Sequence, residues 1–165
     1  MGIILIMLFL TVGKLSAQTL TVNTILGTYR IAQCAQPVGT GGKNPVNYIA
    51  TIEKARVDKA LANLKRTNPG YTTKDSIQVV AYTSPQYAAF APMRFTYLGD
   101  MTMLLVVGKQ KPELATWVYN TATQQLTLTY TKKKVEVLQA EDRDGIIYLL
   151  QKAKDGTVTL YVKEQ

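Results

Sequence analysis

The stretch that most constrains the fold of this chain is residues 116–131, TWVYNTATQQLTLTYT. Two runs of β-favouring residues flank a polar break at 120–124, and in the second run Leu126, Leu128 and Tyr130 alternate with threonines. A period of two gives a strand one apolar face and one polar face, and a short polar break between two such runs is typical of a turn. The stretch therefore predicts an antiparallel hairpin with one face directed at a core.

The same pattern recurs through the C-terminal half of the chain. Asp144-Gly145 and Asp155-Gly156 each separate two β-favouring runs, and Asp-Gly in that position is a strong hairpin signal. The further predicted strands are residues 25–32, 77–83, 93–98, 101–108, 133–140, 146–151 and 157–163. Short connections indicate antiparallel pairing, and closure removes exposed sheet edges. We therefore predict a mainly β fold, an antiparallel up-and-down β-barrel of eight or nine strands.

Residues 47–68 have the periodicity of an amphipathic helix. The apolar residues that recur at spacings of three to five are Ile49, Ile52, Val57, Ala60, Leu61 and Leu64. Asn68-Pro69-Gly70 is a typical helix end. We predict one α-helix inserted between the first and second strands, with its apolar stripe packed against the barrel. A helix lying on a membrane surface is the alternative, because the polar side is rich in Lys and Arg.

The N-terminal segment differs from the rest in composition. Residues 3–12 are almost all apolar, about half the roughly 20 residues that span a bilayer, and the small residues Ser16 and Ala17 follow. We predict a signal peptide at 1–17 and a single exported domain at 18–165, periplasmic or extracellular, with no membrane-spanning segment in the mature chain. Because no Lys or Arg precedes the apolar run, an uncleaved anchor and a misassigned start stay open.

The chain is basic, with 19 Lys and Arg against 11 Asp and Glu and a formal net charge of +8. The basic residues are scattered, and no aromatic RNA-binding motif or zinc-ligand spacing accompanies them. We therefore expect no nucleic-acid partner. A solvated basic face and attraction to an anionic surface or ligand both stay open.

The chain contains no histidine, which excludes a Ser-His-Asp triad, a Cys-His pair and histidine-based metal sites. The single cysteine, Cys34, cannot form an internal disulfide. Without a histidine to lower the pKa of its thiol, Cys34 is expected to be a small hydrophobic residue near a strand end.

Two short motifs resemble ligand loops but lack their essential residues. Gly42-Lys43 is similar to part of a phosphate-binding loop, yet Pro37 stands at its first glycine and Asn44 at its metal-binding Ser or Thr. Residues 141–145 are similar to part of a calcium loop, yet the carboxylates at both of its ends are missing. A carboxylate pair for glycoside hydrolysis stays open, although most of the 11 acids fall in turns or on the helix. We expect no enzyme activity, no metal and no cofactor.

The remaining candidates for a functional site are aromatic and basic. In a small barrel the side chains of one parity point inward, and tyrosines there offer an apolar ring with a hydrogen-bonding hydroxyl, which suits a small organic ligand. The predicted ligand-binding residues are Arg94, Tyr97, Trp117, Tyr119 and Tyr130, and Tyr148 and Tyr161 are further candidates. The alternative is that these side chains fill the core or cover the outside of the barrel.

Two segments resemble a known family. Residues 25–31, ILGTYRI, and the hairpin ATWVYN followed by QLTLT are similar to lipocalin-like small secreted bacterial β-barrel domains, which open with a Gly-x-Trp pattern. Here Tyr29 replaces the tryptophan, Ala115 replaces a glycine, and Lys163 stands where the family has an arginine that stacks on the first-strand aromatic residue. The likeness covers about half of the chain. It implies an eight-stranded barrel with room for a ligand, and no particular ligand.

Two functions follow from this interpretation. The first is non-catalytic binding of a small hydrophobic or anionic molecule in the barrel mouth, with Arg94 as the charge partner. The second is a structural or interaction protein of the cell envelope with a filled barrel, which meets a partner through helix 47–68 or the Lys132-Lys133-Lys134 turn. A continuous cavity of about 300 Å³ or more, lined by the tyrosines, would favour ligand binding. The oligomeric state is not predicted.

Overall fold

The hairpin expected at 116–131 forms as two paired strands in the computed structural model, which describes residues 19–36 and 47–165. In chain order, the elements of the N-terminal part are α1 (Val22–Ile25), β1 (Gly27–Ala35), β2 (Asn47–Ile49), α2 (Ala50–Thr67), α3 (Thr73–Thr83) and α4 (Pro85–Phe90). The strands that follow are β3 (Met93–Tyr97), β4 (Thr102–Val107), β5 (Glu113–Asn120), β6 (Gln125–Tyr130), β7 (Val135–Arg143), β8 (Ile146–Lys152) and β9 (Val158–Lys163).

The strands close into an antiparallel barrel. Each strand from β3 to β9 pairs with its neighbour in sequence, and β1 pairs with both β3 and β9, so that eight strands form the barrel. The ninth strand, β2, pairs with the second half of β1. A bulge between Ile31 and Gln33 shifts the register of β1 against β9. The predicted mainly β fold, an antiparallel barrel with a helix inserted early in the chain, is confirmed.

Alternation along the strands places the core inside the barrel. On β5, Ala115, Trp117 and Tyr119 are buried while the residues between them are exposed. Asp144 and Gly145, at the β7–β8 turn, both have positive φ, 56° and 79°, as a tight hairpin turn of the Asp-Gly type requires. The parity and turn signals of the C-terminal half therefore correspond to real strands and turns.

The inserted segment contains more helix than predicted. The helix expected at 47–68 is present as α2, preceded by the short strand β2. The strand expected at 77–83 is wrong, because this segment is the end of α3. The Thr72 hydroxyl accepts a hydrogen bond from the Asp75 N–H at 3.3 Å, and the Asp75 carboxylate accepts one from the Thr72 N–H at 2.7 Å. This capping box starts a helix in spite of the β-branched residues that follow.

Between α3 and β3 the chain forms one more short helix, α4. Ser84 caps it by accepting a hydrogen bond from the Tyr87 N–H at 3.1 Å, and Pro85 occupies the first helical turn. Ser followed by Pro is a typical helix start. None of the residues of α3 or α4 is buried. α3 packs against α2 and α4, and Tyr87 and Phe90 of α4 pack against the core.

The start of β1 also differs slightly from the expectation. The strand predicted at 25–32 begins at Gly27, and Ile25 belongs to the short helix α1, where it is fully buried. The predicted signal peptide at 1–17 and the Gly42-Lys43 motif lie outside the described residues. Within residues 19–36 and 47–165, no helix is long and apolar enough to cross a membrane.

Candidate ligand-binding site

The barrel has two different ends. At the closed end, α1 and the turns β3–β4, β5–β6 and β7–β8 come together, with Leu20 and Ile25 buried under them. At the open end, the turns β4–β5, β6–β7 and β8–β9 come together. The end at which an inward side chain lies therefore decides whether it can meet a ligand.

Lys163, at the end of the last strand β9, links that strand to α1 at the closed end of the barrel. Its Nζ donates a hydrogen bond to the Thr24 carbonyl oxygen at 2.8 Å, and it lies opposite Tyr29 in the register of β1 and β9. The lysine stem crosses Gly27, where an added Cβ would lie 2.9 Å from Lys163 Cε. Burial lowers the pKa of the Lys163 ammonium. Lys163 thus packs over Gly27 and links the end of β9 to α1.

Aromatic rings fill the closed half of the barrel. Tyr29, Tyr97 and Trp117 pack edge to face, with ring centroids 5.4 Å and 5.9 Å apart, and Trp117 is only 1% exposed. Trp117 Nε1 donates hydrogen bonds to the carbonyl oxygens of Leu98 and Thr102 at 3.2 Å and 3.1 Å. Two of the predicted ligand residues, Tyr97 and Trp117, are therefore packed in the core.

Tyr119 is buried in the same half of the barrel. Among the described residues its hydroxyl has no hydrogen-bond partner, and burial raises its pKa. The Tyr29 hydroxyl, by contrast, donates to the Ile25 carbonyl oxygen at 3.1 Å. Leaving a buried hydroxyl unpaired costs about 1–3 kcal/mol.

The open end of the barrel contains a recess of about 250 Å³, which we call the mouth recess. Its lining residues are Phe95, Leu105, Glu113, Tyr130, Lys132, Lys134, Glu136, Gln151 and Tyr161. The Tyr130 hydroxyl donates a hydrogen bond to Glu136 Oε2 at 2.9 Å, and the Tyr161 hydroxyl donates one to Gln151 Oε1 at 2.8 Å. Two tyrosine–acceptor pairs therefore converge between two apolar side chains.

The charges of the mouth recess are balanced. Lys134 Nζ lies 2.6 Å from Glu136 Oε1 and 5.4 Å from the centre of the Tyr130 ring. Lys132 and Glu113 supply one further charge of each sign. The two lysines and two glutamates give a formally neutral site, which does not select a simple anion.

Both phenols of the mouth recess are held in the protonated form. Burial is the largest cause that raises the pKa of Tyr130, and the Glu136 carboxylate raises it further. Burial likewise raises the pKa of Tyr161, with smaller contributions from Glu136 and Cys34. At neutral pH both hydroxyls are therefore donors, each already directed at an acceptor.

The mouth recess offers hydrogen bonds and apolar contact. The buried thiol of Cys34 accepts a hydrogen bond from the Thr159 hydroxyl at 3.7 Å. Within the part of the chain that the structure describes, no group of three or more Cys, Asp or Glu residues could hold a metal ion. The arrangement is suited to holding a small molecule in place.

Two of the predicted candidates lie outside the barrel. Arg94 alternates with the buried Phe95 on β3 and forms an ion pair with Glu164, Nε to Oε1, at 2.9 Å. Tyr148 alternates with two buried residues on β8, and the centre of its ring lies 5.1 Å from the Arg143 guanidinium carbon. The structure thus brings only Tyr130 and Tyr161 together in the mouth recess.

Five lining residues were not singled out from the sequence: Phe95, Leu105, Glu113, Glu136 and Gln151. Parity could have indicated them, because each lies an even number of residues from a buried position of its own strand. Parity shows on which face of a strand a side chain lies, but it does not show how far along the barrel axis that side chain lies.

Comparison with known proteins adds one structural likeness. No family model and no curated protein matches the chain. Among solved structures, the crystal structure of a DUF4847 family protein from Bacteroides vulgatus ATCC 8482 is similar over 88% of this chain and 100% of that chain, at 11% sequence identity and a TM-score of 0.48. A likeness at this level carries no inference about function.

Proposed function

We propose that this protein is an exported, non-catalytic binding protein of lipocalin-like type, which holds a small amphipathic molecule in the mouth recess. The observation that carries the proposal is the convergence of Tyr130 with Glu136 and of Tyr161 with Gln151 at the open end of a closed barrel. Ligand sites in general combine apolar walls with a few directed polar groups.

The size of the recess limits the ligand. Its volume of about 250 Å³, with Tyr130 and Tyr161 in its lining, falls below the roughly 300 Å³ that we set as favouring ligand binding. It corresponds to about eight water molecules at about 30 Å³ each, so the ligand must be small. The apolar part of a ligand would contact Phe95 and Leu105. Its polar groups would form hydrogen bonds with Gln151 and Glu136, in place of those that Tyr161 and Tyr130 now form. Because the recess is formally neutral, a neutral or zwitterionic ligand fits it better than a simple anion.

The position of Lys163 supports the lipocalin-like assignment. It lies opposite Tyr29 in the register of β1 and β9 and links β9 to Thr24 at the closed end, which supports entry of a ligand at the opposite end. The apolar segment at residues 3–12 supports export. Sequencing the N-terminus of the protein from its native host tests export, since a mature chain that still begins at Met1 would contradict cleavage after Ala17.

Nuclear magnetic resonance titration tests binding at the mouth. Phenol and cyclohexanol are suitable probes because each is small, amphipathic and uncharged at neutral pH. We expect at least one of them to shift the amide signals of Leu105, Glu113 and Tyr130 in a saturable way, and to leave those of Gly27 and Leu98 at the closed end unchanged. Shifts spread over both ends, or no saturable shift, would refute the proposal.

A matched pair of variants sharpens this test. Leu105→Trp places a larger side chain in the mouth recess, and Leu114→Trp places the same side chain on the outside of the barrel, where Leu114 is 53% exposed. We expect Leu105→Trp to weaken binding of the responding probe at least tenfold and Leu114→Trp to leave it unchanged. If Leu105→Trp fails to fold, Gln151→Leu removes a polar group of the recess while the wall remains apolar.

An interaction protein of the cell envelope is the second candidate, and the exposure of α3 favours it. Tyr82 is 93% exposed and Ile77 is 64% exposed on this helix, so two large apolar side chains of α3 are accessible to a partner. Photo-crosslinking from position 82 in the native host distinguishes this candidate. A discrete protein adduct at 82, and none from Val118 on the outer barrel surface, would favour it over the ligand-binding proposal.

A further inference from the structure

A second recess lies outside the barrel, where the helical insertion meets β1, β3 and Glu164. We call it the junction pocket, and its volume is about 280 Å³. The side chains that matter for its chemistry are Arg30, Lys54, Arg94, Glu164, Tyr48 and Tyr87. None of these residues lines the mouth recess.

The junction pocket is cationic. Its described lining includes three basic side chains and one carboxylate, that of Glu164. Lys54 is already paired with Asp58, so the charges that a ligand would meet are those of Arg30 and Arg94. A single oxygen of this carboxylate, Oε1, lies 2.9 Å from Arg94 Nε and 4.0 Å from Arg30 Nε. One carboxylate is thus shared between two guanidinium groups, which leaves one positive charge in excess at this arginine pair.

The Arg94 guanidinium is held in position by the backbone. Its Nη1 donates hydrogen bonds to the carbonyl oxygens of Ala91 and Met93 at 2.7 Å and 2.9 Å. A guanidinium fixed in this way loses little freedom when it binds a carboxylate, whose two oxygens match the planar N–H groups. The Nε side of Arg94 is the one that Glu164 occupies.

Aromatic side chains form the other wall. Tyr48 is buried and packs against Phe90 with ring centroids 5.0 Å apart and an interplanar angle of 66°. Burial raises the pKa of Tyr48, Tyr87 and the Glu53 carboxylate raise it further, and Arg30 and Arg94 act in the opposite direction. The Tyr48 hydroxyl is therefore a neutral hydrogen-bond donor that lies near the guanidinium groups of Arg30 and Arg94.

We propose that the junction pocket binds a small aromatic carboxylate and that the Glu164 side chain occupies the carboxylate position when no ligand is bound. The ligand carboxylate pairs with Arg94 and Arg30, and its ring packs against Tyr48, Tyr87 and Phe90. The Glu164 N–H donates to the Thr28 carbonyl oxygen at 2.8 Å, so the backbone stays in place. Only the side chain has to move for the ligand to enter.

Isothermal titration with benzoate tests this site, with benzamide as the uncharged control of the same shape. We expect benzoate to bind, benzamide to bind at least tenfold more weakly, and Glu164→Gln to strengthen benzoate binding about threefold to tenfold by removing the competing charge. Glu141→Gln is the matched control, because Glu141 forms an ion pair with Arg143 at a different place. It should leave benzoate binding unchanged.

Removing an arginine of the junction pocket should have the opposite effect on benzoate binding to that of removing Glu164. Arg30→Gln should weaken benzoate binding several-fold and leave the fold intact, since Arg30 reaches Glu164 only at 4.0 Å. Arg143→Gln serves as its control. Equal binding of benzamide, weaker binding of benzoate to Glu164→Gln, or retention of benzoate by Arg30→Gln would each overturn the proposal. Inorganic phosphate is titrated in parallel, and competition by phosphate at equal concentration would show a general anion site in place of a carboxylate site.

Discussion

The Tyr130 hydroxyl and the Glu136 carboxylate form a hydrogen bond of 2.9 Å between the neighbouring strands β6 and β7, at the open end of the barrel. Lys134 Nζ pairs with the other oxygen of the same carboxylate at 2.6 Å. The three side chains hold one another in position at the rim of the mouth recess. Their coupling can be measured through the titration of the phenol.

Glu136→Gln should lower the pKa of Tyr130. The Glu136 charge disfavours the phenolate, so its removal brings the pKa down, while burial, the largest cause, still holds it above the usual range. Carbon-13 detected titration of the labelled tyrosine ring measures the change. The matched variant Glu141→Gln, at an exposed ion pair, should not shift Tyr130, and an unchanged pKa in Glu136→Gln would contradict the coupling.

Tyr119→Phe should leave the stability unchanged or raise it. The Tyr119 hydroxyl is buried without a partner among the described residues, so its removal deletes a desolvation cost of about 1–3 kcal/mol at most. Tyr29→Phe deletes a hydrogen bond to Ile25 and should lower the free energy of unfolding by about 1 kcal/mol. Chemical denaturation measures the free energy of unfolding of both variants. An equal loss of stability in both would be inconsistent with an unpaired Tyr119 hydroxyl.

Trp117→Ala should lower the free energy of unfolding by about 3–5 kcal/mol, the usual cost of deleting a buried aromatic ring. Its neighbour Val118 is 61% exposed, and Val118→Ala should change stability by about 0.5 kcal/mol or less. Denaturant titration measures both. A small effect at Trp117 would mean that the closed half of the barrel is not tightly packed.

Asp75→Asn should weaken α3 in a pH-dependent way. Hydrogen bonds from the backbone and side chain of Thr72 lower the pKa of Asp75 below its ordinary value of 3.8. A carboxyl with a lowered folded-state pKa stabilises the fold above the unfolded-state pKa, and this stabilisation is lost as the pH falls through the folded-state value. Hydrogen exchange of the α3 amides should therefore differ between wild type and Asp75→Asn at pH 6. The two should converge below pH 3.8; a difference independent of pH would contradict the capping role.

The sequence contains enough information for the barrel because period-two alternation and Asp-Gly turns are local signals. It is less informative for residues 77–83, where Ile77, Val79 and Val80 favour a strand and the capping residues Thr72 and Asp75 start a helix instead. The capping pattern is present in the sequence and outweighs the β-branched side chains.

For the site, parity alone was insufficient. Arg94 and Tyr97 lie three residues apart in one strand and therefore point to opposite faces, so the sequence could have separated them. Trp117 and Tyr130 share the inner face but lie at different depths, Trp117 in the packed core and Tyr130 at the open end. Depth is set by strand stagger around the closed barrel, which only the pairing of all eight strands determines.

Native mass spectrometry of the protein purified gently from its own host tests mouth binding most directly. Wild type, Leu105→Trp and Leu114→Trp are compared side by side. We expect a non-covalent adduct of small mass on wild type and on Leu114→Trp, and its loss from Leu105→Trp, whose larger side chain occupies the mouth recess. A bare protein mass for all three, or an adduct that Leu105→Trp retains, would contradict ligand binding at the mouth.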